Sequence, residues 1–392
     1  MISGGHVVLD VVSSKRSDDE RTGTAPAAKT RVAFIDIGRA VAAVLVVFTH
    51  VNILFLGEHF PGNAFSAAVT GLFGTPLQLG EQALGALAVP FFFLVSGFVV
   101  TPIALRMGAR RFGVNRLLRV YPPLVSVVLL SAGAILLGLR PLISGKQPEV
   151  TVTTVVNNSL LLNFLQKPFG AFAGVAWTLV IELIFYTMLV ALLPLLRRWM
   201  WPAIAVELTL VLIVILTHAR FGDSYRVFAS EMAHLIVPIM GQVIWAWWAR
   251  KIPGWLAGGF LAVGWEIFVW AANLRMDSDY VLRPLPVAFA VVLFLTGSGL
   301  EPRLRQHRLW TMLSERSYSL YLVHGAVALP VMHALVGVLP LWLTLVTGLV
   351  ATGAMVEVSY RLVERPSHDL ARRLSRRRAT TIRDAASTQR VA

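Results

Sequence analysis

The sequence predicts an all-α integral membrane protein with about ten transmembrane helices and both termini in the cytoplasm. Of its 392 residues, 56% are hydrophobic and only 14% are charged, whereas a soluble domain carries roughly a quarter charged residues. Apolar runs of about 20 residues, the length that crosses the hydrocarbon core of a bilayer, recur from Phe34 to Tyr360. Lysine and arginine are concentrated in alternate connections between these runs.

The apolar runs place ten spans along the chain. We predict them at about 34–56, 83–105, 120–139, 175–196, 202–217, 231–249, 253–272, 282–300, 314–334 and 339–360. With a cytoplasmic N-terminus, the inner connections and the tail hold 21 lysines and arginines and the outer connections hold seven. This bias follows the positive-inside rule and supports both the count and the orientation.

Three regions differ in composition. Residues 1–30 are polar and are predicted to be a disordered cytoplasmic segment, 31–366 form the membrane domain, and 367–392 form a basic cytoplasmic tail. The outer stretch 156–172 is partly amphipathic, which predicts an interfacial or re-entrant helix. The net charge of +14 is explained by orientation in the bilayer, so we expect no nucleic-acid partner.

The chain contains no cysteine. This absence excludes disulfides, thiolate metal sites and a cysteine nucleophile. We expect no metal cofactor.

The first span carries three ionisable residues on one helical stripe. Arg39 and His50 are eleven residues apart, which is about three turns, so both project from one face and lie about 16 Å apart along the axis. Asp36 precedes Arg39 by three residues on the same stripe. Ionisable groups at membrane depth usually face a cavity or a partner, and histidine is suited to take a proton near neutral pH. The pattern indicates a polar channel that leads from the cytoplasm to His50.

Two further features lie in the second span and the connection after it. Ser96 and Gly97 interrupt an apolar run, and Gly97 is expected to permit close helix packing. Arg116 and Arg119 lie one turn apart near the cytoplasmic face. They indicate either simple anchoring or a clamp for a phosphorylated ligand.

The fourth and ninth spans carry polar residues in the stretches WTLVIELIFY and SERSYSLYLVHG. Glu182 lies at mid-membrane, so it must be neutral, paired or exposed to water. Trp177 lies near the start of the same span. Tyr318, Tyr321 and His324 follow one another at three-residue intervals. The tyrosines indicate either an interfacial aromatic belt, which does not explain His324, or a cluster that supports or orients a site.

Six motifs together resemble the membrane-bound acyltransferase family 3, the bacterial multi-span O-acyltransferases. They occur in the family's order between residues 31 and 366: DIGRAVAAVLVVFTH, FFFLVSGF, RLLRVYP, WTLVIELIFY, SYSLYLVH and YRLVERP. The family often has a larger residue in place of Gly38 and serine in place of Thr178.

The resemblance implies a ten-helix core in the bacterial plasma (inner) membrane. It also implies an acyl-coenzyme A donor, with acetyl-coenzyme A as our expectation, and a sugar, glycolipid or macrolide-like acceptor. The roles that carry over are an essential pair at Arg39 and His50 and an arginine motif at Arg116 and Arg119.

These observations predict an acyltransferase in which His50 is the general base. Arg39 would position the donor or stabilise the oxyanion, Asp36 would neutralise Arg39, and Glu182 and His324 would orient the site. Direct transfer and a covalent acyl-histidine relay are both open. A transporter or flippase for a lipid-linked sugar is the alternative, and a lipid-linked glycosyltransferase is a further one. Against a transporter, the sequence lacks the two matching halves with broken spans that many transporters show.

Overall fold

The computed structural model describes residues 31–277 and 281–374. The predicted segment 1–30 and most of the predicted basic tail, residues 375–392, lie outside the described residues. The described chain is almost entirely helical, and its only sheet is a pair of two-residue antiparallel strands, β1 (Ser144–Gly145) and β2 (Gly170–Ala171). The all-α prediction is confirmed.

Fifteen α-helices follow one another in the described part of the chain. They are α1 (Ala33–His50), α2 (Gly57–His59), α3 (Ala64–Val69), α4 (Ala88–Met107), α5 (Ala109–Leu136), α6 (Val152–Ser159), α7 (Trp177–Ala191), α8 (Leu193–Arg198), α9 (Met200–Leu216), α10 (Asp223–His234), α11 (Ile236–Trp248), α12 (Gly254–Leu274), α13 (Pro284–Leu300), α14 (Arg308–Leu335) and α15 (Leu341–Ser359). Short 3₁₀ segments lie at Gly80–Leu87, Leu162–Leu165 and Glu301–Arg303, and π-helical segments at Val51–Leu56, Thr70–Gly74 and Tyr360–Glu364.

Eight helical stretches in the described chain are long and apolar enough to cross a bilayer. They coincide with eight of the ten predicted spans. The other two predicted spans fall on the shorter apolar helices α7 and α9. The count of ten is therefore approximate, while the multi-pass membrane character is confirmed.

Three local expectations differ from the structure. Helix α5 begins at Ala109 and runs through Pro122 and Pro123, so the connection that carries Arg116 and Arg119 before the predicted span at 120–139 is helical. Proline removes one backbone donor, but α5 also packs against α7 and α14, which hold its flanking turns. The amphipathic stretch 156–172 is not one helix, because α6 ends at Ser159. The last helix continues past residue 366 to Leu374 without a break.

Helix α4 lies at the centre of the molecule and contacts α1, α5, α7, α11 and α13. Its packing against α11 brings the two backbones into direct contact. A Cβ at Gly97 would lie 1.8 Å from the carbonyl oxygen of Pro238, and one at Gly241 would lie 2.2 Å from that of Leu94. Small residues allow this approach where no hydrophobic force drives helices together in lipid. The expected packing role of Gly97 therefore matches its position.

Gly38 has a similar steric explanation. A Cβ at this position would lie 2.2 Å from the ring of Phe91 on α4. The phenyl ring occupies the space that a larger residue at position 38 would need. The departure from the family's usual residue is therefore accommodated by packing between α1 and α4.

We expect Gly97→Ala to lower the thermal midpoint of the purified protein in detergent, because the added methyl group would overpack α4 against α11 at a cost of roughly 1–3 kcal/mol. Gly259→Ala is the matched control, because Gly259 lies in helix α12 with nothing within 4 Å of its Cβ position. Its midpoint should be unchanged or slightly higher. Equal midpoints for both variants would contradict the contact between the two helices.

The orientation gives a second prediction. A reporter that is active only in the cytoplasm should be active when fused at Arg198, Arg250 or Arg305, since these positions lie in connections rich in positive charge. The same reporter should be silent near Gly62 or Ser224. Activity at Gly62 would reverse the orientation.

Candidate active site

A cavity of about 320 Å³ opens among helices α1, α4, α5, α7 and α14. Eight residues predicted from the sequence line it: Asp36, Arg39, Ser96, Arg116, Arg119, Glu182, Tyr318 and Tyr321. His50, His324 and Trp177 are not among the described residues that line it. The predicted set is thus divided between the cavity and a second location deeper in the helical bundle.

One end of the cavity carries most of the charge. Four arginines line it, Arg31, Arg39, Arg116 and Arg119, against the two carboxylates of Asp36 and Glu182. The wall is therefore net positive. This charge suits an anionic ligand, and by the charge-based orientation the end at Arg31 faces the cytoplasm.

Several polar atoms in this wall have no partner. Arg116 is buried between the rings of Phe112 and Tyr186, with its guanidinium carbon 5.4 and 5.5 Å from their centroids. Its Nη2 donates to the side-chain oxygen of Asn115 at 3.0 Å, but its Nε has no hydrogen-bond partner among the described residues, and neither has the Ser96 hydroxyl. Buried polar atoms are normally paired. Orphaned donors in a cavity wall indicate a place for a ligand.

Asp36 and Arg39 are both held by helix α14. Asp36 accepts hydrogen bonds from Ser314 at 2.7 Å and from Gln306 at 2.6 Å. Arg39 donates to the hydroxyl of Ser317 at 3.0 Å. Asp36 forms no ion pair with Arg39 in the described structure; its paired cation is Arg31, at 3.8 Å.

Glu364 is a charged neighbour of the cavity that the sequence reading did not single out. It is 3% exposed and accepts a hydrogen bond from Ser319 at 2.6 Å. Its charge acts on both Arg39 and Arg119. It belongs to the YRLVERP motif, and a glutamate at the end of an apolar span was the signal that could have identified it.

Glu182 accepts a hydrogen bond from the hydroxyl of Tyr186, one turn further along α7. Trp177 lies at the start of the same helix, between the rings of Phe93 and His234, at 6.3 and 5.2 Å between centroids. Trp177 therefore supports the packing beyond the cavity rather than its wall.

Tyr321 forms the deep end of the cavity. Its hydroxyl lies 3.0 Å from that of Thr178 and donates to the carbonyl of Val175 at 3.2 Å. Its ring contacts Phe92 with a centroid separation of 5.9 Å. One turn further along α14 lies His324. Tyr321 thus separates the cavity from the two histidines.

His50 and His324 form a hydrogen-bonded couple. The Nε2 atom of His324 lies 3.0 Å from Nδ1 of His50. The Nδ1 atom of His324 faces the carbonyl of Tyr321 at 2.8 Å, and Nδ1 of His50 faces the carbonyl of Val46 at 3.0 Å. A carbonyl only accepts, so both Nδ1 atoms must carry hydrogen. We assign the tautomers from these partners: His324 accepts through Nε2, and the Nε2 lone pair of His50 is left unpaired.

A second histidine couple lies two and a half turns further along the same helices. The Nε2 atom of His59 is 2.8 Å from Nδ1 of His333, and His59 and His333 each follow their helix's first histidine by nine residues. This equal spacing could have indicated the second couple. The carboxylate of Glu58 completes a group with metal-ligand chemistry, but that carboxylate pairs with Arg140 at 3.0 Å, whose charge opposes a cation.

Two rhizobial proteins are similar in sequence to this chain. The chain is 28% identical over 372 residues to "Nodulation protein 10" of Rhizobium leguminosarum bv. viciae, an alignment that covers 87% of this chain and 95% of that protein. It is 25% identical over 253 residues to "Exopolysaccharide production protein ExoZ" of Rhizobium meliloti (strain 1021), covering 62% of this chain and 76% of the relative. No solved structure matches.

The decisive match is to a family profile. The profile of acyltransferase family 3, described as an acyltransferase domain, matches residues 32–360, which include every residue of the cavity wall except Arg31, and both histidine couples. The chain belongs to acyltransferase family 3 and is a multi-pass membrane acyltransferase.

Proposed function

We propose that the protein moves an acyl group from acyl-coenzyme A to a hydroxyl of a sugar or glycolipid, with His50 as the general base. The observation that carries the proposal is the unpaired Nε2 of His50, placed by His324 beyond the deep end of an arginine-rich cavity. Membership of an acyltransferase family favours this function over the flippase alternative. Acetyl-coenzyme A is the donor we expect.

The cavity fits a coenzyme A donor by charge. The diphosphate and ribose phosphate of coenzyme A are anionic, and arginine binds phosphate through two parallel N–H groups. Arg116 has an unpartnered Nε in the wall, and Arg119 makes no hydrogen bond or ion pair with another described residue. Arg119 and the Nε of Arg116 can therefore donate hydrogen bonds to phosphate oxygens. No metal is needed to neutralise the donor, because four arginines are present.

The position of Arg39 favours donor binding over oxyanion stabilisation. Helix α1 is continuous from Ala33 to His50, so Arg39 and His50 are about 16 Å apart along its axis. An oxyanion donor must lie within hydrogen-bond distance of the reacting carbonyl. The pantetheine arm of coenzyme A bridges a comparable distance between its phosphates and its sulfur. Arg39 at the phosphate end and His50 at the thioester end thus suit one extended donor.

The transfer follows from the couple's tautomers. Nε2 of His50 takes the proton of the acceptor hydroxyl while its oxygen attacks the thioester carbonyl carbon. The carbon–sulfur bond then breaks, and the thiolate takes the proton from Nε2. During the step His324 accepts a hydrogen bond from the His50 imidazolium and stabilises it. The products are the ester and free coenzyme A.

The acceptor and the membrane are argued from the relatives. ExoZ is named for exopolysaccharide production, and a polysaccharide offers sugar hydroxyls. A sugar or glycolipid hydroxyl is therefore the acceptor class we propose, ahead of a macrolide-like metabolite. We propose the bacterial plasma membrane as the location.

We expect His50→Gln to remain folded and inserted in the membrane, because glutamine keeps the size and polarity of the side chain. Its transfer rate should be roughly 10²–10⁴-fold lower, because glutamine cannot accept the proton. The measurement is release of coenzyme A from acetyl-coenzyme A by membranes that contain the native acceptor. Inserting one alanine between Val44 and Leu45 should abolish transfer too, since it rotates His50 by about 100° from Arg39. Full activity in His50→Gln would remove His50 from the chemistry.

We expect Arg119→Ala to raise the apparent Michaelis constant for acetyl-coenzyme A, because a phosphate contact is lost. Arg119→Lys should recover only part of the affinity, since an ammonium does not reproduce the two-pronged guanidinium contact. Arg110→Ala is a control on the same helix that does not line the cavity. If Arg119→Ala is expressed normally and its Michaelis constant for acetyl-coenzyme A is unchanged, this arginine serves only to orient the protein in the membrane.

A further inference from the structure

The connection between α5 and α6 turns back onto the bundle beside the catalytic couple. The N–H of Leu142 donates to the carbonyl of Gly325 at 2.8 Å, and the N–H of Gly174 donates to the carbonyl of Leu142 at 2.9 Å. Gly325 directly follows His324. The strand pair β1–β2 continues this attachment immediately after Leu142. The backbone at Leu142 is thus fixed between helix α14 and the segment that begins α7.

The side chain of Leu142 packs near the histidine couple. It packs against the apolar cluster that contains Val47 and Val51, which lie three residues before and one residue after His50. A Cβ at Gly325 would lie 2.6 Å from Cβ of Leu142, so glycine there gives Leu142 room to approach α14. Leu142 therefore packs against α14 at the residue that follows His324, on the connection that leads from α5 to α6.

The part of this connection nearer to α5 has a weaker attachment. Arg140 pairs with Glu58 at 3.0 Å, and their side chains are 71% and 49% exposed. An exposed ion pair contributes little to stability. The segment is thus held firmly at Leu142 by backbone bonds and loosely at Arg140, which allows this end to detach without unfolding the bundle.

We propose that residues 139–145, the outer cover, exclude water from His50, and that Leu142 determines that an acceptor hydroxyl rather than water receives the acyl group. The proposal rests on the proposed role of His50 as base. The donor reaches the couple past Tyr321, and the acceptor hydroxyl reaches it from the opposite side, by displacing the cover.

The reason for the cover is chemical. A base that activates an alcohol also activates water. Water oxygen would attack the thioester carbon, the carbon–sulfur bond would break, and the proton taken by His50 would pass to the thiolate, giving a free acid and coenzyme A. Enzymes prevent such hydrolysis by excluding water from the reacting atoms. A leucine over the base provides this exclusion on the acceptor side.

The test uses acetyl-coenzyme A alone, with purified full-length protein in lipid nanodiscs and no acceptor. Released thiol is measured with a chromogenic disulfide, which the protein itself does not consume because it has no cysteine. We expect Leu142→Ala to release thiol several-fold faster than the wild type. Leu137→Ala is the matched control, since Leu137 lies in the same connection and is 79% exposed; its rate should equal that of the wild type.

A double variant separates this proposal from the assignment of the base. Thiol release by Leu142→Ala combined with His50→Gln should fall to the wild-type rate. If release stays high in the double variant, the base assignment fails while the cover stands. If a folded Leu142→Ala releases thiol no faster than the wild type, the cover is overturned.

An independent pair of variants changes the exposed ion pair between Arg140 and Glu58. These variants test the proposal even if Leu142→Ala does not fold. Arg140→Glu and Glu58→Arg each place like charges together, so each should raise thiol release. Combining them restores an opposite pair and should return the rate toward the wild type. Unchanged release in both folded single variants would likewise overturn the proposal.

Discussion

The packing of α1 against α14 is the interaction on which the site depends. Both helices run in the same direction, and three side-chain contacts join them. In chain order these are Asp36 with Ser314, Arg39 with Ser317 and His50 with His324. His59 of α2, which follows α1 in the same helical stretch, adds a fourth contact, with His333. Each contact satisfies a polar group that would be costly to bury alone. The same contacts that stabilise the two helices therefore assemble the candidate catalytic groups.

The cavity divides the chemistry by polarity. Its cytoplasmic end is charged and holds donors without partners, such as Arg116 Nε. Its deep end is made of Phe92, Thr178 and Tyr321, and the hydroxyls of Thr178 and Tyr321 pair with each other. Charged groups suit the phosphates of a donor, and a paired, aromatic end suits a thioester that must avoid water. Arg39 lines the cavity, whereas His50 lies beyond its deep end, eleven residues further along the same helical stretch.

The sequence predicted what local periodicity determines. The spans followed from apolar length, and the stripe of Asp36, Arg39 and His50 followed from 3.6 residues per turn. Contacts between distant segments could not be predicted. Glu364 approaches helix α14 from the π-helical segment after α15, where it accepts a hydrogen bond from Ser319. Leu142 packs against Gly325, next to His324, from a loop whose composition gives no signal. The start of α5 at Ala109 was missed because the arginine-rich stretch before residue 120 has no long apolar run. The site residues separated into two groups only when the helices were seen together.

The choice of a second histidine, rather than a carboxylate, to hold His50 has a physical reason. A buried carboxylate would stabilise the imidazolium more strongly, but it would remain charged in the resting state, and desolvating that charge inside a membrane protein is expensive. His324 offers an acceptor nitrogen without charge, because its Nδ1–H is committed to the carbonyl of Tyr321. The couple is then neutral at rest. In the proposed mechanism the couple becomes cationic only while the oxyanion on the thioester develops, so the two new charges appear together and offset each other.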